Sequence, residues 1–302
     1  MRETTKLDEY YNKFNEEKRL DSRHGRIEYR TSRAYIDKYL RMLMTGDTNQ
    51  DERIDNGISA KPDGCIQDVI DGSVQGEKAD SILDKKDIRI LDIGAGTGRY
   101  SIPLSEEGYD VTAVEPTHPN LGRLRANGKL VHVYEGNALK LKQFHNASFD
   151  LVIMFGPMYH LKTQEERLQA LLEAKRVVKP GGYIFTTYIL NEYALLTYAF
   201  VENHALECKE KGALTRDFRC IPGEDDLYGW VRIEDMDELN EKAGLHRVCR
   251  FTQDGPANYM RRVVNAMDEE TYELYYQYHL SICERPELLG AAAHVADVLK
   301  RE

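Results

Sequence analysis

The sequence lacks any run of about 18 apolar residues, the length that a membrane-spanning helix needs. Its first residues, Met1 to Lys6, are polar and are followed by no apolar signal core, so we expect neither an anchor nor an export signal. The five cysteines are scattered and form no C-x-x-C pair. These absences predict a cytoplasmic protein with free thiols, without a disulfide framework or a zinc site.

The sequence also lacks an excess of basic residues. Its 51 Asp and Glu residues outnumber its 41 Lys and Arg residues, which leaves a formal net charge of −10 at pH 7. A protein that follows a phosphate backbone needs basic surface to neutralise that backbone. We therefore expect no nucleic-acid partner and, in the absence of a membrane span, no membrane partner.

One glycine-rich stretch, Ile88 to Gly98, predicts a buried strand that leads directly into a tight turn. Its isoleucines and leucine are typical of a strand that is covered on both faces. Gly94 and Gly96 remove side chains where the backbone must turn sharply and where a ligand must come close. A helix is predicted from the turn to Glu107. A strand, a glycine turn and the N-terminus of a helix together are typical of a nucleotide-binding site, because the amide N–H groups of the turn point at the ligand.

The spacing of acid and glycines indicates which nucleotide is bound. The dinucleotide fingerprint G-x-G-x-x-G, counted from Gly94, would need a glycine where the chain has Arg99. The chain instead reads Asp-x-Gly-x-Gly-x-Gly from Asp92 to Gly98. This string resembles motif I of the class I, Rossmann-like methyltransferases that use S-adenosylmethionine (SAM). The resemblance implies that Asp92 helps to hold the methionine part of SAM.

Five apolar segments recur at intervals of roughly twenty residues between positions 87 and 188, which is typical of βαβ units. The second segment ends at Glu115, where a carboxylate can accept hydrogen bonds from both hydroxyls of a ribose. Because SAM and NAD share that ribose, Glu115 predicts a nucleoside without choosing between them. We expect an α/β fold with a doubly wound, mostly parallel sheet, a helical N-terminal extension and a lid inserted after the fifth strand.

The ends of the third and fourth segments resemble the same family. Gly-Asn-Ala at 136–138 stands where these methyltransferases commonly have Gly-Asp-Ala, and an amide oxygen can accept the adenine amino group without charge. Gly-Pro-Met-Tyr-His at 156–160 resembles motif IV of the small-molecule methyltransferases. The adenine-methylating enzymes carry Asp/Asn-Pro-Pro-Tyr at this place, so we expect a small-molecule acceptor and not a nucleobase.

Tyr159 and His160 are the candidate catalytic residues. Methyl transfer from a sulfonium is an in-line displacement in which the enzyme aligns acceptor, methyl and sulfur. A base is needed only where the acceptor must lose a proton early, and histidine titrates in a suitable range. The alternative for His160 is a hydrogen bond to backbone that shapes the loop.

The predicted cofactor-binding residues follow the first four strands, with one more on the N-terminal helix. They are Asp92, Gly94, Ala95, Gly96, Thr97, Gly98, Glu115, Pro116, Asn137, Ala138, Phe155, Gly156 and Tyr29. No metal site is predicted, because the acidic stretch 47–55 lacks the spacing and closing Glu of an EF-hand.

Composition divides the chain into four parts: a helical cap at 1–44, a polar surface loop at 45–86, the SAM-binding core at 87–188, and a lid with the C-terminal half of the same domain at 189–302. In the last part we predict helices over 191–212, 233–244 and 269–283 and a sixth strand over 245–252. No clear seventh strand is predicted. Tyr228 and Trp230 are candidates either for acceptor contact or for the core of the lid.

The sequence thus predicts a SAM-dependent methyltransferase that acts on a small molecule and releases S-adenosylhomocysteine. Two other interpretations remain open from the residues alone. One is a non-catalytic SAM-binding protein on the same fold, and the other is an NAD-dependent reductase.

Overall fold

The computed structural model describes Glu9, residues 22–46 and residues 83–302. These residues contain seven strands in one sheet. The strands are β1 (Arg89–Ile93), β2 (Asp110–Glu115), β3 (His132–Glu135), β4 (Phe149–Met154), β5 (Val178–Ile189), β6 (His246–Thr252) and β7 (His294–Lys300). Their order across the sheet is β3-β2-β1-β4-β5-β7-β6. Strands β1 to β5 run parallel, whereas β7 is antiparallel to both β5 and β6.

The helices of the described residues connect the strands and cover the sheet. They are α1 (Arg23–Thr45), α2 (Ser101–Glu106), α3 (His118–Asn127), α4 (Pro157–His160), α5 (Gln164–Val177), α6 (Asn191–Ala194), α7 (Ala205–Glu210), α8 (Ile233–Ala243), α9 (Arg261–Ala266), α10 (Glu269–Ile282) and α11 (Pro286–Leu289), with a 3-10 turn at Lys85–Asp87 and a π-helix at Leu195–Val201. None of these helices has both the length and the apolar character that crossing a membrane requires.

Two apolar cores lie on opposite faces of the sheet, because successive side chains of a strand point to opposite sides. Leu91 and Ile93 of β1 belong to one core, together with Leu171 of α5. Ile90 of β1 belongs to the other core, together with Tyr39 of α1. The predicted doubly wound, mostly parallel α/β sheet is confirmed.

The prediction of no clear seventh strand was wrong, because the structure contains β7. Asp297 lies in the middle of β7 and interrupts its apolar run, so the segment looks solvent-exposed in the sequence. In the structure Asp297 is fully buried and is paired with Arg250 of β6 at 2.6 Å. Asn240 of α8 donates a further hydrogen bond to the same carboxylate. A buried charge with these partners is compatible with a central strand.

Two other boundaries differ from their predictions. The single helix predicted over 191–212 is divided into α6, the π-helix and α7. Thr197 donates its hydroxyl hydrogen to the carbonyl of Tyr193, and Asn203 adopts a left-handed φ of 63° that ends the helical run. The fifth strand begins at Val178 and not at Tyr183, because the pairing with β4 continues across an irregularity. The helices predicted at 233–244 and 269–283 and the sixth strand agree with the structure within one residue.

Helix α1 closes one face of the sheet. Ser22 caps its first turn by accepting a hydrogen bond from the amide of Gly25, and Gly46 ends it with a φ of 66°. The ring of Tyr35 stacks on Phe251 of β6 with centroids 3.7 Å apart. Apart from Glu9, residues 1–21 of the predicted cap lie outside the described residues, as do residues 47–82 of the predicted insert. The four-part division of the chain therefore stays a prediction.

Replacing residues 47–82 with a short Gly-Ser linker should leave the fold and SAM binding intact. The amide of Leu83 donates a hydrogen bond to the carbonyl of Met44 at 3.2 Å, so the two ends of the replaced segment lie side by side. Closing a loop costs only about 0.6 kcal/mol more for each doubling of its length. We expect a thermal midpoint and a calorimetric SAM affinity close to those of the full chain. An unfolded product would show that the segment contributes to the core.

Candidate active site

The turn between β1 and α2 holds three glycines in left-handed backbone conformations. The φ angles are 72° at Gly94, 58° at Gly96 and 98° at Gly98. A Cβ atom at Gly98 would lie 2.6 Å from the Leu124 side chain, so this glycine permits packing of the turn on α3. A Cβ at Gly96 would meet no atom within 4 Å. Gly96 therefore faces open space, which a ligand can occupy.

That space is a cavity of about 260 Å³ at the carboxyl edge of the parallel strands. Its lining comprises Gly94, Gly96, Glu115, Pro116, Asn120, Asn137, Ala138, Leu139, Gly156, Pro157, His160 and Leu161. Residues from the ends of β1, β2, β3 and β4 thus converge there. Open α/β sheets bind their ligands at this edge, outside the carboxyl ends of the strands.

The cavity brings together part of the predicted site. The predicted residues that line it are Gly94, Gly96, Glu115, Pro116, Asn137, Ala138, Gly156 and His160. The predicted residues outside its lining are Asp92, Ala95, Thr97, Gly98, Phe155, Tyr29 and Tyr159. Four residues line the cavity without having been predicted as site residues: Asn120, Leu139, Pro157 and Leu161. Asn120 and Leu139 belong to no motif that their type or spacing reveals, whereas Pro157 lies in the Gly-Pro-Met-Tyr-His stretch and Leu161 follows it.

The carboxylate of Glu115 is held by protein donors. It is 3% exposed, and it accepts hydrogen bonds from the amides of Gly96 at 2.8 Å and Thr117 at 2.9 Å. The hydroxyl of Thr117 donates to it as well. Burial raises the pKa of Glu115, and the hydrogen bonds from Thr117 and Gly96 oppose that rise. The carboxylate therefore joins the glycine turn to the start of α3 in a fixed orientation.

Asn137 also has a backbone partner. Its side-chain oxygen accepts a hydrogen bond from the amide of Leu139 at 3.0 Å, which shapes the turn after β3. An amide oxygen has two lone pairs, so one acceptor position remains after this bond. Asn137 can thus shape the cavity wall and still accept a ligand N–H.

The motif IV loop forms α4 and is held by the segment 227–229. Nδ1 of His160 lies 3.0 Å from the carbonyl oxygen of Leu227, and the His160 ring stacks on Tyr228 with centroids 5.3 Å apart. The amide of Gly229 donates to the carbonyl of Tyr159 at 2.8 Å. Burial lowers the pKa of His160. The backbone hydrogen bond that was one alternative for His160 is therefore present, although the ring also lines the cavity.

Comparisons with known proteins agree with this geometry. The family described as "Methyltransferase domain" matches residues 91–186. The chain is 29% identical over 187 residues to a demethylmenaquinone methyltransferase of Renibacterium salmoninarum, a match that covers 55% of this chain and 75% of that protein. It is 28% identical over 177 residues to a ubiquinone biosynthesis O-methyltransferase of Pectobacterium carotovorum, which covers 56% and 70%. Residues 91–186 are a methyltransferase domain, and the chain is a SAM-dependent methyltransferase.

Among solved structures, the methyltransferase is similar to a SAM-dependent methyltransferase from Thermotoga maritima that is described as a possible histamine N-methyltransferase. The two share 22% sequence identity with a TM-score of 0.45, over 71% of this chain and 82% of the other. The cofactor of the methyltransferase is SAM. The open space at Gly96 and the buried acid at the end of β2 are features that fit a nucleoside cofactor.

Asp92, the acid of motif I, does not line the cavity of the methyltransferase. It is buried, and it accepts a hydrogen bond from the hydroxyl of Ser101 at 2.5 Å. Burial raises the pKa of Asp92 to about 7, and the nearby Glu115 carboxylate adds to the rise, while the Ser101 hydrogen bond opposes it. A cationic ligand close to Asp92 would favour its ionised form.

Tyr29 of α1 is tied to the cavity region through aromatic contacts. The guanidinium of Arg99 lies 4.5 Å from the centroid of the Tyr29 ring, and Tyr29 contacts Tyr100 with centroids 5.3 Å apart. Tyr100 in turn contacts Phe155, 5.0 Å away. Tyr29 and Phe155 are therefore connected through Tyr100, although neither lines the cavity. Arg30, its neighbour, is paired with Glu273.

The two lid aromatics occupy different places in the methyltransferase. Tyr228 contacts Tyr159 and His160 of motif IV, and its ring centroid lies 5.9 Å from that of Tyr159. Trp230 lines a second cavity, of about 590 Å³, between the π-helix and the segment that contains Cys220. Of the two candidates, Tyr228 lies beside motif IV, and Trp230 belongs to the second cavity.

Proposed function

We propose that this methyltransferase transfers the methyl group of SAM to a small-molecule acceptor bound beside Tyr159 and His160. The observation that carries the proposal is the position of His160, which lines the cofactor cavity while Tyr159 and Tyr228 pack against it. Aromatic walls with a few polar groups are typical of small-molecule sites. The two relatives described above are named a demethylmenaquinone methyltransferase and a ubiquinone biosynthesis O-methyltransferase, names that favour a small-molecule acceptor.

The residues of the cavity have separate roles on two sides, one that binds the cofactor and one that binds the acceptor. On the cofactor side, the glycine turn gives the backbone close access, Glu115 holds the ribose, and Asn137 with Ala138 meets the adenine. Asp92 acts through the turn on the methionine part. When bound, SAM supplies an electrophilic methyl group on a sulfonium. On the acceptor side, the motif IV loop orients the acceptor and excludes water.

Tyr159→Ala and His160→Ala test the acceptor side. We expect each variant to lose at least about tenfold in methyl transfer while its SAM affinity changes little, because contacts to the acceptor act mainly in the transition state. Release of S-adenosylhomocysteine measures the transfer, and calorimetry measures SAM binding. Tyr134→Ala, at a 44% exposed tyrosine of β3, is the control for loss of an aromatic ring.

Two results would contradict the proposed function. Undiminished turnover in both variants would remove these residues from the site. Efficient methylation of bulk tRNA or DNA by the pure protein would overturn the small-molecule acceptor.

A further inference from the structure

The second cavity lies apart from the cofactor cavity. Its volume is about 590 Å³, and the residues that line it all lie between positions 194 and 230, after β5. Small-molecule sites usually have volumes of about 300–1,000 Å³, so this space has the size of a ligand site. Within the described part of the chain, no residue lines both cavities. A molecule in the second cavity would therefore not occupy the place of the cofactor.

One wall of the second cavity is formed by the π-helix Leu195–Val201. Three of its residues line the cavity, namely Leu195, Tyr198 and Ala199. π-Helical turns are rare in proteins, and they occur frequently at functional sites. The rare helix type is thus an indication of a site that is independent of the volume of the cavity.

The opposite wall is mostly apolar. Leu214, Pro222 and Trp230 contribute carbon surface to it, and Cys208 and Cys220 contribute free thiols. A thiol behaves as a small hydrophobic group with a weak S–H donor. Burial raises the pKa of Cys220 to about 11, so this thiol remains uncharged near pH 7. The wall therefore favours a ligand that buries apolar surface.

The charged side chains of the second cavity are exposed and have protein partners. Within the described lining they are Glu207, Lys211 and Asp226. Lys211 donates a hydrogen bond to the carboxylate of Glu207 at 2.5 Å, and Asp226 accepts one from the amide of Gly223 at 2.7 Å. A charged ligand group would have to compete with these partners or remain buried without a counter-ion, which is costly. A neutral ligand avoids that cost.

The segments that form the second cavity also expose apolar side chains. Tyr198 and Ile221 line the cavity and are 50% and 46% exposed, so they lie at its mouth. Phe200, Leu206 and Phe218 of the same segments are exposed as well. Contiguous apolar surface of this kind marks interaction sites. A ligand that covers Tyr198 and Ile221 would remove further apolar area from water, which favours binding.

We propose that the second cavity is a binding site for a neutral, lipophilic small molecule and that it is separate from the site of methyl transfer. The apolar body of the ligand lies between the π-helix and Trp230. Its outer end lies between Tyr198 and Ile221. The site goes beyond the proposed function, because it requires neither SAM nor an acceptor.

The fluorescence of Trp230 tests the site directly, because this residue is the only tryptophan of the sequence. We expect 1-decanol, a neutral chain molecule, to shift the emission to shorter wavelength with one-to-one saturation, since the ligand replaces water beside the indole ring. Decanoate and decylammonium carry a charge on the same chain and should bind at least about tenfold more weakly. Unchanged emission with all three molecules would overturn the site, and tighter binding of either charged molecule would overturn the neutral ligand.

Two substitutions fill the second cavity from different parts of its lining. They are Ala194→Phe, at the end of α6, and Ala213→Phe, after α7. Each should abolish the response to 1-decanol, while the thermal midpoint and the calorimetric SAM affinity stay close to wild type and show that the variant is folded. Ala126→Phe, at an exposed position of α3, is the matched control and should keep the response. An undiminished response in both filled variants would overturn the proposal.

Three further measurements distinguish the site from its alternatives. Saturating S-adenosylhomocysteine should leave the affinity for 1-decanol unchanged, and competition would place the alcohol in the cofactor cavity. With SAM, 1-decanol should remain unmethylated, and formation of its methyl ether would overturn a separate site. Phosphatidylcholine vesicles should leave the Trp230 emission unchanged. A shift with vesicles but not with 1-decanol would assign the exposed apolar side chains to a bilayer and overturn the small-molecule site.

Discussion

Replacing Gly96 with valine is expected to abolish SAM binding while leaving the protein folded. A Cβ at Gly96 meets no protein atom within 4 Å, so the added side chain projects into the space reserved for the ligand. The φ of 58° is strained for valine, which costs roughly 1–2 kcal/mol of stability. A domain of this size can tolerate that cost, since typical stabilities are about 5–15 kcal/mol. Calorimetry with SAM and a thermal melt of the same sample measure both effects.

The matched control for this substitution is Gly181→Val. Gly181 has a φ of 81°, and a Cβ there also meets no atom within 4 Å, but the residue lies in β5 near its start, away from the cavity. The control should therefore show the same kind of backbone strain with native SAM affinity. Near-native affinity in folded Gly96→Val would mean that SAM does not lie against the turn.

Glu115→Ala is expected to weaken SAM binding by about 10- to 100-fold. The loss corresponds to roughly 1.5–3 kcal/mol, the usual range for hydrogen bonds to a charged group. The variant removes the proposed acceptor for the ribose hydroxyls and also the partner of the Gly96 and Thr117 amides. Glu115→Gln, which keeps one acceptor oxygen, should lose less. Calorimetric affinities of the two variants, compared at one salt concentration, measure the difference.

Glu135→Ala provides the control for loss of an acid at a strand end. Glu135 ends β3, pairs in register with Glu115, and has a 42% exposed side chain. Its removal should leave SAM affinity unchanged. Equal affinities for wild type and Glu115→Ala would mean that Glu115 does not hold the ribose.

Local signals in the sequence predicted the parts of the fold that depend on neighbouring residues. The capping box of α5 is an example, because Thr163 and Glu166 have the spacing S/T-x-x-E in the sequence. In the structure Thr163 accepts a hydrogen bond from the amide of Glu166, and the Glu166 side chain accepts one from the amide of Thr163. The glycine turn and the alternation of strands and helices between residues 87 and 188 were likewise encoded within short stretches. Strand β7 was missed because the buried Asp297 depends on Arg250, a partner 47 residues away.

The candidate site was predicted in the same uneven way. Residues of the family motifs could be placed near the cavity from their spacing, since each motif follows a strand end. The meeting of Glu28, Asp254 and His294 near the carboxyl edge of the sheet could not be predicted, because these residues come from α1, from just after β6 and from the start of β7. Only the antiparallel insertion of β7 beside β5 brings them to the carboxyl edge. Without that strand, the sequence offers no reason to pair Asp254 with His294.

A crystal structure with S-adenosylhomocysteine tests the central claim most directly. We expect the adenosine to lie in the 260 Å³ cavity, with both ribose hydroxyls within hydrogen-bonding distance of Glu115. The ligand should contact the backbone of the glycine turn at Gly96. The sulfur should face the motif IV loop, on the side of Tyr159 and His160. A ligand bound elsewhere, or a cavity that takes NADH and excludes S-adenosylhomocysteine, would contradict the account.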